Sequence, residues 1–361
     1  MGVLIFNGGT LARKEIYGVQ RNTLEILREL DGMVEKDSVE LVLPSNSVHD
    51  FEFENVKVVK IHGDTNGTIA RNRWTYQQFP AYVRSRGGTG VDMLLALPTR
   101  DCDVVAVYDC TTELFPQNAS NLKSKISRRL YIHRVKKVLK RSKIVFTVSE
   151  SAKSDLVKYY HRNPDSIVVT YGGWQHLERV DADSSIIDEL GLTGGEYFFS
   201  LGSRFAHKNF KWVVEAALQN PGYQFVVTGS SLLNASDKDL DADQPPNLMF
   251  TNYLSDGQIK ALMANCKAFI QPSLYEGFGI PPMEAMSVGA RCIVARAGSL
   301  PEVYGKSVWF IDPLDYDHID LNEIMANPPA EDNEVVLKRF SWRRSAEIVF
   351  GALAPFLEGR D

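Results

Sequence analysis

Cysteine is scarce. The four present, Cys102, Cys110, Cys266 and Cys292, form no Cys-x-x-Cys pair and have no histidine at ligand spacing, which argues against a zinc site or a disulfide framework. They read as reduced core thiols of a cytosolic protein. Long apolar runs are absent too: nothing approaches the roughly 18 residues of a membrane-spanning helix. The start, Met1-Gly2-Val3-Leu4-Ile5-Phe6, lacks the basic region of a signal peptide and runs straight into a glycine turn. Phe6 stands where a myristoylation signal wants Ser or Thr. A surplus of positive charge is also missing, since 40 Lys+Arg against 45 Asp+Glu leave a net charge of -5. That argues against a general nucleic-acid binder, whose backbone recognition needs a basic face. Asp-x-Asp pairs recur at Asp101/Asp103, Asp181/Asp183, Asp239/Asp241, Asp241/Asp243 and Asp315/Asp317, too often to mark a metal site, and no metal is expected.

What is present is 361 residues, 44% apolar and 24% charged, enough for two domains of ordinary globular composition. Short β-rich runs alternate with helical stretches at Val3–Asn7, Val39–Leu43, Val56–Ile61, Met93–Leu97, Val104–Tyr108, Ile144–Val148 and Ile167–Thr170. The second half repeats the alternation at Tyr197–Leu201, Gln224–Thr228, Leu248–Thr251, Ala268–Gln271, Cys292–Ala295 and Val308–Ile311. Such alternation predicts an α/β chain with two parallel, doubly wound, Rossmann-like sheets. Gly172-Gly173 mark the crossing between halves, so the expected domains are 1–172 and 173–340, with a final helix in 341–361.

The densest chemistry lies in Tyr275-Glu276-Gly277-Phe278-Gly279-Ile280-Pro281-Pro282-Met283-Glu284. It follows a short buried strand and opens a helix expected to run to Val288, with Gly289 as its stop. Gly277 and Gly279 let backbone amides approach a ligand, the prolines set the first turn, and the positive helix end suits a phosphate. Glu276 and Glu284 bracket the same mouth. Glu284 suits ribose hydroxyls and Glu276 the hydroxyls of a second sugar; the bland alternative for Glu284 is a helix-dipole contribution of about 0.3–1 kcal/mol. The first strand of the second half runs into Gly202-Ser203-Arg204-Phe205-Ala206-His207-Lys208-Asn209 before a helix near Phe210. Cations there are misplaced unless an anion is near, so Arg204 and Lys208 suit a diphosphate clamp, with plain surface cations as the alternative.

The pattern Glu276-Gly277-Phe278-Gly279-x-Pro281-x-x-Glu284-Ala285-Met286, with Gly289 and then Gly298-Ser299-Leu300-Pro301-Glu302-Val303, resembles the donor-site signature of glycosyltransferase family 4, retaining enzymes of the GT-B fold. The resemblance implies two Rossmann-like domains facing a cleft, the acceptor held by the first and a nucleotide-diphosphate sugar by the second. It implies that a final helix crosses back onto the first domain. It places Gly18 against the donor sugar and the Tyr253-Leu254 loop near the base, and it gives catalytic weight to Arg204, Lys208, Glu276 and Asp109. Tyr108 stands where the family commonly has His. Retention in the family is ascribed to same-face attack helped by the leaving phosphate, so Glu276 is donor-orienting, and no metal or cofactor is implied. The acceptor class that the resemblance and the basic segment imply is a glycan or lipid-linked oligosaccharide of surface-polysaccharide assembly. The alternatives are a GT-B sugar-nucleotide epimerase or phosphorylase, and a non-catalytic sugar-binding scaffold.

Residues 123–143 carry Lys123, Lys125, Arg128, Arg129, Arg134, Lys136, Lys137, Lys140, Arg141 and Lys143 with no acid among them. Ile126, Leu130, Val135, Val138 and Leu139 are expected on one helix face, making a basic amphipathic helix suited to an anionic membrane or an acidic acceptor; a solvated face is the alternative. The expected location is cytoplasmic, and peripheral on the inner membrane face if that helix binds lipid. Trp74, Tyr76, Phe79 and Tyr82, among the cations of 71–86, suit either sugar or lipid contact or a core face.

Overall fold

The computed structural model describes residues 2–14, 16, 18–202, 205–229 and 245–359. The chain divides into two compact units, one of Met1–Leu114, Ala119–Gly172 and Trp342–Asp361, the other of Phe115–Asn118 and Gly173–Ser341.

The first unit is built on β1 (Leu4–Asn7), β2 (Val39–Pro44), β3 (Lys57–Ile61), β4 (Thr89–Asp92), β5 (Val104–Ala106), β6 (Ile144–Thr147) and β7 (Ile167–Val169), in the order β3-β2-β1-β4-β5-β6-β7. Every pairing is parallel, with Leu4 beside Val39 on one side and Thr89 on the other. Parallel strands need crossover helices, so β1, β2 and β5 are buried throughout and are apolar apart from the buried Asn7 and Glu40. The helix Gly18–Asp31 buries Leu24, Leu27 and Leu30. Against it packs the final helix, Trp342–Leu357, which buries Trp342, Ala346, Val349 and Leu353. The Gly2 amide donates to the Leu357 carbonyl at 2.8 Å.

Two expectations need correction here. The fourth strand is Thr89–Asp92, not Met93–Leu97. The true strand reads poorly because it contains Gly90, where a Cβ would lie 2.2 Å from the Asp101 carbonyl oxygen, and Asp92, which is fully buried. Asp92 accepts the amides of Leu94 at 3.2 Å and Leu97 at 2.6 Å. Met93–Leu97 is thereby wound into a loop around the carboxylate, with Leu95 and Leu97 left-handed at φ 55° and 54°. Burial pushes the Asp92 carboxyl up to about 6 against those hydrogen bonds. The second correction concerns the basic helix, Leu122–Arg141, which buries Val135, Val138 and Leu139 but leaves Ile126 and Leu130 exposed. The five apolar residues are therefore not one face.

The aromatics of 71–86 turn inward at two positions. Trp74 and Phe79 are buried, and Trp74 Nε1 donates to Asn7 Oδ1 at 2.8 Å. Gly9 and Gly63 make room for that indole, since a Cβ on either would come within 2.4 and 2.7 Å of it. These two rings are core.

The second unit is built on β8 (Tyr197–Ser200), β9 (Gln224–Val227), β10 (Leu248–Phe250), β11 (Ala268–Gln271), β12 (Cys292–Ala295) and β13 (Trp309–Ile311), again all parallel, in the order β10-β9-β8-β11-β12-β13. The chain winds outward from β8 to β10, then returns to place β11 on the other side of β8. Strand order reverses between β8 and β11, and in open α/β sheets the crevice beyond the carboxyl ends of such strands is where ligands bind.

Candidate active site

The loops leaving β8 and β11 bring Lys208 and Glu276 together at that switch point. Lys208 closes a 3-10 turn, Ala206–Lys208, directly before the helix Phe210–Gln219. Asn209 between them is left-handed at φ 55°, and its Nδ2 donates to the carbonyls of Pro272 and Pro313 at 3.0 and 2.8 Å. The Leu274 amide donates to the His207 carbonyl at 2.7 Å. These bonds tie the two loops at fixed register.

Lys208 Nζ lies 2.7 and 2.9 Å from the two oxygens of Glu276. The cation's anion within the protein is thus Glu276. Gln271 Nε2 and Ser273 Oγ also donate to Glu276 Oε1, at 2.6 and 2.7 Å, and both of those residues are buried. Burial by itself raises the Glu276 carboxyl, but the Lys208 charge and the hydrogen bonds from Lys208 and Ser273 hold it below the ordinary carboxylate value. Glu276 is therefore an oriented carboxylate at neutral pH. The sequence pattern did not single out Gln271 and Ser273; their signal was position, since both lie at the carboxyl end of β11.

The loop beyond Glu276 is shaped by its neighbours. Gly279 is left-handed at φ 82°, and a Cβ there would lie 2.6 Å from Leu300 Cδ2. Gly298, at φ 53°, would place a Cβ 3.0 Å from both the amide nitrogen and the carbonyl oxygen of Glu276, and Ser299 Oγ donates to that carbonyl at 3.0 Å. The downstream Gly298-Ser299-Leu300 is thus the wall of the glutamate loop. The helix that follows is Ile280–Ser287, with Gly289 at φ 90° beyond it. Pro281 and Pro282 have no N–H, and the Met283 amide donates to Tyr304 Oη at 3.1 Å. Among the described residues the Ile280 amide of the first turn, and that of Gly279 beside it, have no such partner. Phe278 turns its ring into the core, edge-on to Phe340 at 5.3 Å.

Glu284 Oε1 is 2.7 Å from Nε2 of His176, a buried residue on a 3-10 turn at Gln175–Arg179. Nothing in the sequence pattern pointed to His176. Tyr253 is exposed and Leu254 buried, in the loop beyond β10. Arg204 lies outside the described residues.

In the first unit, Gly18 begins its helix with nothing within 4 Å of where a Cβ would lie, so the protein's own packing does not demand glycine there. Asp109 Oδ1 accepts the Thr111 amide at 2.8 Å. Tyr108 is buried, its hydroxyl 2.8 Å from the Met93 carbonyl and 3.1 Å from Asn22 Oδ1, and burial raises its pKa. Its hydroxyl is therefore neutral at pH 7. Among the described residues no cluster of three or more His, Cys, Asp or Glu is placed to hold a metal ion, and no helix is long and apolar enough to cross a membrane.

Comparison with known proteins agrees with this architecture. Residues 184–333 match the family Glycosyl transferases group 1. The O-antigen chain mannosyltransferase B of Escherichia coli is 25% identical over 222 residues, covering 56% of this chain and 58% of that protein. The chain spans less than two thirds of the length of the curated relatives it matches. Among solved structures, the sucrose-phosphate synthase of Thermosynechococcus elongatus aligns over 100% of both chains with a TM-score of 0.74 at 14% identity. Anabaena Alr3699/HepE in complex with UDP and glucose aligns over 98% of this chain and 100% of its own, with a TM-score of 0.69 at 15% identity. The solved structures show the GT-B fold, and residues 184–333 are similar to the group 1 glycosyl transferases.

Proposed function

We propose that the chain is a retaining glycosyltransferase that moves a hexosyl group from a nucleoside-diphosphate sugar to a glycan or lipid-linked oligosaccharide acceptor in surface-polysaccharide assembly. The observation that carries this reading is the Lys208–Glu276 pair at the switch point of the second sheet, with Nζ 2.7 Å from the carboxylate. An incoming diphosphate offers Lys208 another anion, while the donor sugar's hydroxyls offer Glu276 new hydrogen-bond donors. Each partner exchanges the other for substrate.

In this reading Lys208, with Arg204, offsets charge on the departing diphosphate, and the Gly279 and Ile280 amides add donors at the positive helix end. Glu284, oriented by His176, accepts ribose hydroxyls. The acceptor oxygen bonds to the anomeric carbon on the face from which the diphosphate leaves, the anomeric carbon–oxygen bond breaks, and the acceptor proton passes to the phosphate oxygen. Glu276 orients the donor and forms no covalent bond. Gly18 and Asp109 of the first unit are candidates for the same reaction. The relative's name supports mannose as the first sugar to test, and the UDP complex of the Anabaena protein supports a nucleoside diphosphate as ligand.

The test is a thermal-shift panel of UDP, GDP, ADP and dTDP, followed by turnover of the matching sugar nucleotides with and without EDTA. A ligand at a hundred times its Kd stabilises the native state by about 2.7 kcal/mol, so one diphosphate is expected to raise the melting temperature by several degrees. Turnover is expected to survive EDTA. A panel in which no diphosphate shifts the protein overturns the donor-site reading.

A further inference from the structure

The helix Leu122–Arg141 turns two kinds of side chain outward that a purely solvated surface does not explain. Leu122, Ile126 and Leu130 recur every four residues, which stacks them on one helix face, and they are 74%, 49% and 52% exposed. The same side of the helix exposes Lys125, Arg129, Lys136, Lys137 and Lys140, and these five have no salt-bridge or hydrogen-bond partner for their side chains among the described residues. Other cations of the segment serve the fold instead. Arg128 donates to the Thr112 carbonyl at 2.7 Å, Arg141 to that of Thr99 at 2.9 Å, and Arg134 lies over the Tyr76 ring at 5.2 Å.

The start of this helix is firmly formed. Asn121 and Ser124 make a reciprocal capping box, with Ser124 N donating to Asn121 Oδ1 at 2.9 Å and Asn121 N to Ser124 Oγ at 3.0 Å, so the backbone that carries the apolar stripe is fixed by its own bonds. Beside Lys136 and Lys140 opens a cavity of about 490 Å³ that His161 and Arg162 also line. It extends the basic surface sideways. In a chain of net charge -5, this concentration of cations around an exposed apolar stripe complements one kind of surface: negative at its face and apolar just beneath.

We propose that this face docks on an anionic lipid bilayer, with Leu122, Ile126 and Leu130 entering the headgroup boundary and Lys125, Arg129, Lys136, Lys137 and Lys140 lying over lipid phosphates. The proposal goes beyond the reaction above, and its test reads binding alone.

The test is co-sedimentation of the full chain with vesicles of phosphatidylcholine, or of phosphatidylcholine with about one third phosphatidylglycerol, at about 0.05 M and about 0.5 M salt. The chain is expected to pellet with the anionic vesicles and to be released at high salt. The triple variant Lys136→Gln, Lys137→Gln, Lys140→Gln is expected to lose about 100-fold in partition, or about fivefold per cation. The pair Ile126→Ser, Leu130→Ser is expected to weaken partition at about 0.05 M salt, with an unchanged thermal melt because both positions are exposed. Equal pelleting with neutral vesicles, no pelleting, or wild-type partition of either variant overturns the proposal. So does sedimentation velocity showing that the serine pair abolishes self-association while vesicle binding persists, which would make a second copy of the chain the occupant.

Discussion

Replacing Lys208 by Met strips a buried carboxylate of its counter-charge while leaving its other donors in place. The two side chains are 29% and 11% exposed and 2.7 Å apart. Coulomb's law at an effective dielectric near 20 gives about 6 kcal/mol of bare attraction at that distance. Desolvation of both groups cancels much of it, and the partial exposure of Lys208 screens more, leaving a net coupling of about 2 kcal/mol. Lys208→Met is expected to destabilise the protein by about 2–3 kcal/mol at pH 7.5. Combined with Glu276→Gln, it should cost about 2 kcal/mol less than the sum of the two single changes. The pH dependence gives a second handle. Wild-type Glu276 is held below its ordinary value despite burial, so its contribution is present above the unfolded value of about 4.3 and is lost as pH falls through the lower folded value. Without Lys208 burial dominates and the folded value rises above the unfolded one, which makes ionised Glu276 a cost at neutral pH. The gap between wild type and Lys208→Met should therefore narrow from pH 7.5 toward pH 4. Urea unfolding followed by tryptophan fluorescence measures both quantities, with midpoints compared because two units need not unfold as one. Single changes that add to within about 0.5 kcal/mol, or a gap that ignores pH, would refute the coupling.

Gly298→Ala forces a left-handed residue and sets a Cβ 3.0 Å from the Glu276 backbone; a loss of about 1–2 kcal/mol and weaker nucleotide binding are expected, read by the same thermal shift. Tyr304→Phe removes the hydroxyl that accepts the Met283 amide and donates to the Gly279 carbonyl; leaving both buried groups unpaired should cost about 1–3 kcal/mol in urea unfolding. Burial lifts Asp92 to about 6, above its unfolded value of about 3.9. Its favourable contribution is thus full below the unfolded value and is lost as pH rises through about 6, so wild type should lose stability relative to Asp92→Asn by about 2–3 kcal/mol between pH 4 and pH 7.

The strands were legible where burial on both faces made them short apolar runs, as in Val104–Ala106 or Ala268–Gln271. The fourth strand was not, because its residues answer to tertiary demands: Gly90 to a neighbouring carbonyl and Asp92 to amides wound around it. A periodicity rule instead chose the apolar Met93–Leu97, whose hydrophobicity serves the core from a loop. The basic helix was legible as a helix, but sequence spacing did not separate its buried apolar residues, Val135, Val138 and Leu139, from the exposed Ile126 and Leu130. At the site, Lys208 and Glu276 were each identifiable from local chemistry. Their pairing was not, since it depends on β11 returning beside β8, a fact of topology. His176 is the extreme case, 108 residues from Glu284 in sequence and without a local signature.

The glutamate loop is held from outside by bonds made within the protein. Gly298 and Ser299 fix the Glu276 backbone, Leu300 presses on Gly279, and Tyr304 bridges the Gly279 carbonyl and the Met283 amide. Gln271 and Ser273 fix the carboxylate itself. A ligand binding here would order little that is not already ordered, so its binding energy is not consumed in shaping the loop. In the proposed reaction the exception is the Lys208–Glu276 contact, which the substrate would replace, and the replacement would be selective. A free phosphate compensates Lys208 but leaves the buried Glu276 with one donor fewer, whereas a sugar diphosphate compensates both. On the proposed reading the pair would thereby favour the complete donor over its sugar-free fragment, by coupling two recognitions that separate sites would make independently. Glu276→Gln, which removes the charge to be separated, should bring the affinities for a sugar nucleotide and its bare diphosphate closer together. An unchanged ratio in calorimetric titration would show that the two recognitions are uncoupled.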